Sequence, residues 1–389
     1  MHQQAPAKPK NDSTPVNAYH WYTPRFWVGM LVSTWWRLLW RHRFRATPSS
    51  WGMAFMTSII TPFNSVCRLL QELFYGKAID RFRIEEPPVF IIGHWRSGTT
   101  FLHELMMLDP RNTFATTYDC FAPNHFLITG SWLPKMIWFL LPSRRPMDNV
   151  AAGWDRPQED EFALMNAGLP SPYLTMAFPN DPPEAQNYLD MSGLTEQEVN
   201  LWKRGLLRFM QALSLRDKKR IVLKSPPHTG RIKTLVEMFP EARFIHIVRD
   251  PQVLFPSTIR LWKSLYQSQA MNSAPYVRLE EHVLESMERM YRAFEAHRHL
   301  IPAEHFCEVR YEELAQDPLG QLRTIYERLG LGDFETVLPH VLPFVESVKD
   351  FKTNRHDMDP ETLAKIAARW GDYARRYGYA LGTRASASE

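Results

Sequence analysis

The stretch that most constrains this chain is Pro88–Leu108, PVFIIGHWRSGTTFLHELMML. The apolar run from Val89 to Ile92 predicts a short buried strand, Gly93 to Gly98 a tight loop, and a helix is predicted from Thr99. Strand, glycine-bounded loop and helix in this order aim the loop amides and the helix N-terminus at one spot. The helix dipole adds about half a positive charge there. The unit is an anion-binding device.

Gly93-x-x-x-x-Gly98 followed by two hydroxyl residues has the spacing of the P-loop, G-x-x-x-x-G-K-[ST]. Thr99 stands where a nucleotide triphosphatase needs the Lys that reaches the outer phosphates, and the cation is Arg96, inside the loop. Such a site suits a nucleotide with a shorter anionic tail than ATP. The competing reading is an ordinary turn between a strand and a helix.

At 389 residues, 44% hydrophobic and 23% charged, the chain can build a sizeable core. A net charge of +4 suits an anionic small ligand or an acidic membrane face, and no Lys/Arg block points to nucleic acid. Cys67, Cys120 and Cys307 lie far apart without a C-x-x-C, which argues for a reducing, cytoplasmic setting and against a disulfide scaffold or zinc site. The fourteen histidines show no metal-ligand spacing, so no structural metal is expected.

Residues 1–18 are polar and rich in Pro, Lys and Gln, predicting a disordered tail without a signal peptide. Residues 19–86 form a Trp-rich helical extension. Phe26–Arg45 packs four tryptophans beside a basic tail, and Thr47–Cys67 is free of formal charge but interrupted by Pro48 and Pro62. With those interruptions no spanning helix is expected. Two readings stay open: helices lying in a membrane interface, or helices burying their tryptophans on the catalytic body. A second apolar patch, Phe126–Pro142, ends in Ser143-Arg144-Arg145 and is a candidate mouth for an acceptor pocket on the same side.

The α/β body begins near Glu86, with a short strand expected at Thr113–Tyr118 and an irregular Pro-rich stretch over residues 143–193. Thr195-x-x-Glu198 reads as a capping box opening an amphipathic helix. Continuously apolar runs at Arg220–Lys224 and Ala242–Val248 read as parallel strands covered on two faces. Strands alternating with helices to residue 379 predict a P-loop-like, doubly wound parallel sheet flanked by helices over residues 87–389.

The strand ending in Val248 delivers 249-RDPQVLFPS-257, which puts Arg249 where open α/β sheets bind ligands and Ser257 early in the next helix. A guanidinium and a hydroxyl beside a helix start make a second phosphate clamp, separate from the first. Two such clamps resemble the sulfotransferases that use 3′-phosphoadenosine 5′-phosphosulfate (PAPS). Arg96, Ser97, Gly98, Thr99 and Thr100 match that family's 5′-phosphosulfate loop, [KR]-S-G-T-[TS], and Arg249 and Ser257 match its 3′-phosphate element, R-[DN]-P-x(5)-S. The run 223-LKSPPH-228 to 239-FPEARFIHIVRDP-251 is similar to the large bacterial group that also resembles tyrosylprotein sulfotransferases. The segment 310-RYEELAQDP-318 resembles the family's Y-E-[DE]-L, whose Tyr, here Tyr311, lies near the adenine.

The resemblance implies PAPS as co-substrate and metal-free, in-line transfer of a sulfuryl group to a hydroxyl. Arg96 and the loop amides would stabilise the 5′-phosphate, and Lys224, at a strand end, would reach the bridging oxygen or the sulfuryl group. Glu159, Asp160 and Glu161 cluster in an acidic loop, where neighbouring carboxylates raise one another's pKa as a general base requires. Glu159 is the favoured base, His228 the second choice, and Asp119 lies near where the tyrosylprotein group carries a catalytic Glu. Lys352 or Arg355 would add charge at the 3′-phosphate. The expected acceptor is a small-molecule or lipid-borne hydroxyl, reached by a cytoplasmic enzyme associated peripherally with membranes. The rival readings are a P-loop-type kinase and a membrane-associated nucleotide-binding module without catalysis.

Overall fold

Apolar runs become buried strands when both their faces are covered, and that is their situation here. The structure, a computed structural model, describes residues 23–142, 152–348 and 358–382. The 1–18 tail, Ser143-Arg144-Arg145, Lys352 and Arg355 lie outside the described residues.

The chain enters through α1 (Val32–Arg41) and α2 (Trp51–Arg81). β1 (Val89–Ile92), α3 (Thr99–Met106) and β2 (Asn112–Thr113) follow, then α4 (Asp160–Asn166), α5 (Glu196–Arg216) and β3 (Arg220–Lys224). After these come β4 (Arg243–Val248), α6 (Pro251–Gln269), α7 (Leu279–His297), β5 (Phe306–Arg310), α8 (Pro318–Leu329) and α9 (Pro360–Arg376).

The five strands are all parallel, in the order β2-β3-β1-β4-β5. Phe90, Ile92, Leu223 and Phe244 enter one hydrophobic cluster, while Val89, Ile91, Val222 and Ile245 enter another on the opposite face. This period-two division shows a sheet with helices on both sides, the doubly wound arrangement. The chain builds outward from β1 to β2, returns by β3, then crosses β1 to reach β4 and β5. The carboxyl ends of β1, β3 and β4 therefore border the crevice where such sheets bind ligands.

One expected strand is mostly absent. In place of a strand over Thr113–Tyr118 there is the two-residue β2 and a short helix, Thr117–Phe121. The Thr116 hydroxyl accepts from Asp119 N–H while the Asp119 carboxylate accepts from Thr116 N–H, a local capping box that outcompetes extended backbone.

The Trp-rich extension shares the core of the body. Trp27 and Trp35 are fully buried, Trp27 Nε1 donates to the Gln269 carbonyl (2.6 Å), and Phe26 stacks on Phe162 at 3.9 Å. The expected break at Pro62 does not occur, since α2 runs through it. Pro62 cannot donate to the Ser58 carbonyl, and the Thr61 hydroxyl does so instead (3.3 Å). The stretch Pro48–Arg81 is thus long and apolar enough to cross a membrane by length and composition, with 22% of its most apolar window buried.

α2 is also inverted. Thr57, Thr61, Asn64 and Gln71 face the protein, while Phe55, Ile59, Val66, Leu69, Leu73 and Phe74 face out. Asn64 Nδ2 donates to the Val28 and Met30 carbonyls (2.7 and 2.9 Å), and Gln71 Oε1 accepts from Leu127 N–H (2.9 Å). Burying one large apolar side chain contributes about 1.5–3 kcal/mol, so this face forfeits on the order of 10 kcal/mol in water.

Two measurements test this packing. Trp27→Ala should lower the unfolding free energy by about 3–5 kcal/mol in chemical denaturation. His94 and His103, fully buried beside the glycine loop, have pKa values pushed down to about 3, both by burial first and His103 also by the Lys224 charge. The unfolded chain binds their protons below pH 6.5 and the folded chain does not, so their stabilisation is full above 6.5 and is lost as pH falls towards 3. Each should contribute a loss of about 2 kcal/mol by pH 5. His103→Gln should flatten the slope of stability against pH by about one proton.

Candidate active site

The loop after β1 turns sharply because two glycines take conformations closed to other residues. At Gly93 (φ 146°) a Cβ would lie 2.5 Å from the Ile247 carbonyl, and at Gly98 (φ 103°) it would lie 2.2 Å from the Tyr311 ring. Gly98 therefore lets the phosphate loop sit against Tyr311, joining two segments that the sequence places far apart. Arg96 itself adopts φ 69°. α3 begins at Gly98 without a side-chain cap, leaving its first amides to an anion.

Arg249, at the end of β4, donates to the Arg96 carbonyl (2.7 Å), and Arg96 Nε donates to Ser257 Oγ (3.0 Å). The two clamps that looked separate in the sequence are therefore one contiguous assembly, with the Arg96 side chain turned toward Ser257. The Arg249 guanidinium lies 4.1 Å from the Tyr311 ring centre, a cation–π shelf. Burial, and after it the charge of Arg96, hold Arg249 below the usual arginine pKa. A site that crowds two guanidiniums in a buried place is suited to an anion that would relieve them. Tyr373 of α9 fixes the backbone here, since its hydroxyl accepts from Arg249 N–H and donates to the Arg249 carbonyl, both at 3.0 Å.

On the other flank of the loop, Lys224 at the end of β3 donates to Glu159 Oε1 (2.7 Å) and reaches Thr100 Oγ1 at 3.5 Å. The Tyr173 hydroxyl donates to Glu159 Oε2 and itself accepts from Trp95 Nε1 (2.9 Å). Lys224 is almost fully buried, and 15% of the Glu159 side chain stays exposed. Burial, then the Glu159 charge, push the Tyr173 phenol well above its ordinary pKa, so it stays a donor.

The three adjacent acids each meet a different partner. Glu159 is the N-cap position of α4, and the two buried acids behind it anchor that helix. Asp160 accepts from Ser225 Oγ and pairs with His228 Nε2, both at 2.8 Å. Burial pushes its pKa up, but His228, Ser225 and Arg231 together outweigh that and the net shift is down. Glu161 pairs with Arg231 (2.6 Å) and accepts from Ser171 Oγ (2.6 Å). His228 is fully buried against Phe90 and Trp202, so it joins the site only through Asp160. Asp119 is occupied by Arg216 (2.6 Å) and its own capping box.

The structure thus unites Arg96, Ser97, Gly98, Thr99 and Thr100 with Arg249, Ser257 and Tyr311, and sets Glu159 and Lys224 beside them. It adds Tyr173, Trp95 and Tyr373. No motif spacing marks Tyr173 or Tyr373, at which only the density of aromatics around residues 170–178 and 370–379 hints, while Trp95 is an unspecified position inside the Gly93–Gly98 loop.

The chain is similar to known proteins. The sulfotransferase family model matches residues 87–335. The omega-hydroxy-beta-dihydromenaquinone-9 sulfotransferases Stf3 of Mycobacterium bovis and Mycobacterium tuberculosis are each 44% identical over 359 residues, 92% of this chain and 92% of theirs. Among solved structures, sulfotransferase STF9 from Mycobacterium avium aligns with a TM-score of 0.69 at 20% identity, covering 87% of this chain and 88% of its own. STF1 from Mycobacterium tuberculosis aligns at 0.59 and 18%, covering 82% and 87%, and both share the fold. The kinase and non-catalytic readings give way, and the chain belongs to the sulfotransferase family as an enzyme of that class.

Proposed function

We propose that this enzyme transfers the sulfuryl group of PAPS to a lipid-borne hydroxyl, with Glu159 as general base, and that it works in the cytoplasm at a membrane surface. The observation that carries the reading is the Glu159–Lys224 ion pair held beside the glycine loop at the crevice of the sheet. When bound, PAPS supplies the sulfuryl group and an adenosine bisphosphate leaving group.

The acceptor oxygen forms the new bond to sulfur as the bond between sulfur and the phosphate oxygen breaks, and the hydroxyl proton passes to Glu159. Tyr173 and Lys224 hold one oxygen each of that carboxylate, which fixes its direction. Lys224 also reaches Thr100, so it can move from the resting carboxylate toward charge developing at the loop. Arg249, Ser257 and Arg96 are suited to the 3′-phosphate, and the uncapped amides of α3 to the 5′-phosphate. His228 supports the base through Asp160 rather than replacing it.

The acceptor class rests on the curated relatives, whose name denotes a hydroxylated menaquinone. The exposed apolar face of α2 agrees with a lipid substrate. Three buried, unpaired cysteines agree with a reducing compartment.

Isothermal titration with 3′-phosphoadenosine 5′-phosphate tests the donor site. Arg249→Ala should weaken binding by about 1.5–3 kcal/mol, a factor of about 10 to 150. Glu159→Gln should still bind this product while lowering kcat by about 10²–10⁴ in a sulfuryl-transfer assay. Wild-type turnover surviving in Glu159→Gln would remove Glu159 from the base role.

A further inference from the structure

We infer that α2 and the turn Trp132–Phe139 form one membrane-docking face, which lies in the plane of an anionic lipid interface and sets the Glu159 loop beside it. The inference rests on the lipid-acceptor reading above and names the surface and its orientation. Nine large apolar side chains between Phe55 and Phe74 are 41–76% exposed, all on one side of α2. A patch of that extent exceeds what a water-soluble monomer ordinarily leaves open.

Among the described residues no segment covers this face. The rim indicates the occupant. The apolar stripe runs about 28 Å at helical rise and is followed on its own side by exposed Lys77 and Arg81. Trp40 and Trp51 stand exposed near its start, with exposed Arg37 and Arg43 close by in the chain. Trp132 and Trp138, with Lys135 between them, are exposed on the neighbouring turn. Apolar surface edged by tryptophan and cations matches the depth profile of an anionic leaflet. Two copies pressed face to face would instead oppose these cations.

The orientation follows from what holds α2. Trp35 Nε1 donates to Ser58 Oγ (2.9 Å) near one end, and Arg208 of α5 pairs with Glu72 and Asp80 near the other. The body therefore follows α2 along its length, and a transverse helix would drag those ion pairs into hydrocarbon. In-plane seating leaves them on the water side.

The face is continuous with the site. Gln71 of α2 holds Leu127 N–H, Trp154 Nε1 donates to the Ile137 carbonyl (3.0 Å), and Thr117 N–H donates to the Arg156 carbonyl (2.7 Å). Glu159 lies three residues further on. A lipid hydroxyl arriving along this surface meets the segment that carries the base.

The test is sedimentation of the full chain with phosphatidylcholine vesicles, with and without phosphatidylglycerol. Product titration of each protein runs in parallel. Wild type should bind the anionic vesicles and lose affinity with salt. Leu69→Glu/Leu73→Glu should weaken that partition at least about tenfold, and Lys77→Glu should reduce its salt dependence, with binding of 3′-phosphoadenosine 5′-phosphate unchanged in both. Wild type that ignores vesicles, a double variant that still binds them, or a vesicle-free dimer dissolved by the double variant would each overturn the inference. Failure of product binding in a vesicle-bound wild type would instead strike the donor-site reading alone.

Discussion

Glu159 and Lys224 are 65 residues apart in the chain, and their ion pair is the contact on which the rest of the site depends. A nearly buried lysine beside a carboxylate is tolerable only when its charge is met, and loss of either partner leaves the other uncompensated. The two residues that follow Glu159 make that meeting reproducible. Asp160 and Glu161 are fully buried, and each spends its charge on a basic group, His228 or Arg231, delivered by the segment after β3. The same segment begins with Lys224. One double latch therefore sets the distance between α4 and the end of β3, and the Glu159–Lys224 pair inherits that distance.

The phosphate side is built from two guanidiniums. Arg96 and Arg249 are joined through a carbonyl, a serine hydroxyl and the Tyr311 ring. Burial works against the Arg249 charge, the reverse of what an anion at this corner would do.

The centre of the sheet was readable because β1, β3 and β4 are apolar runs and fall where those runs predict, and the loop glycines Gly93 and Gly98 because backbone geometry sets their positions. Thr113–Tyr118 did not read correctly, since the capping box between Thr116 and Asp119 is a local hydrogen-bond choice that β-propensity does not register. Adjacency misled at Asp160, whose pKa is lowered rather than raised, because near neighbours on a chain need not share an environment once each meets a different cation. Tyr173 and Tyr373 were invisible, since their role is to meet groups at Glu159 and Arg249 that only folding brings close.

Pro62 carries the same lesson into the membrane question. Read as a letter it breaks a helix, but Thr61 satisfies the carbonyl that Pro62 abandons, and α2 continues. Once α2 is continuous, the sides of its residues become fixed, and Thr57, Thr61, Asn64 and Gln71 all turn inward. Asn64 and Gln71 are paired with backbone groups of the body, so the inversion is built in rather than a failure to pack. From Phe55 to Phe74 the side turned outward is then left to large apolar residues. On the docking proposed above, lipid is the environment in which that arrangement lowers the free energy of the whole fold.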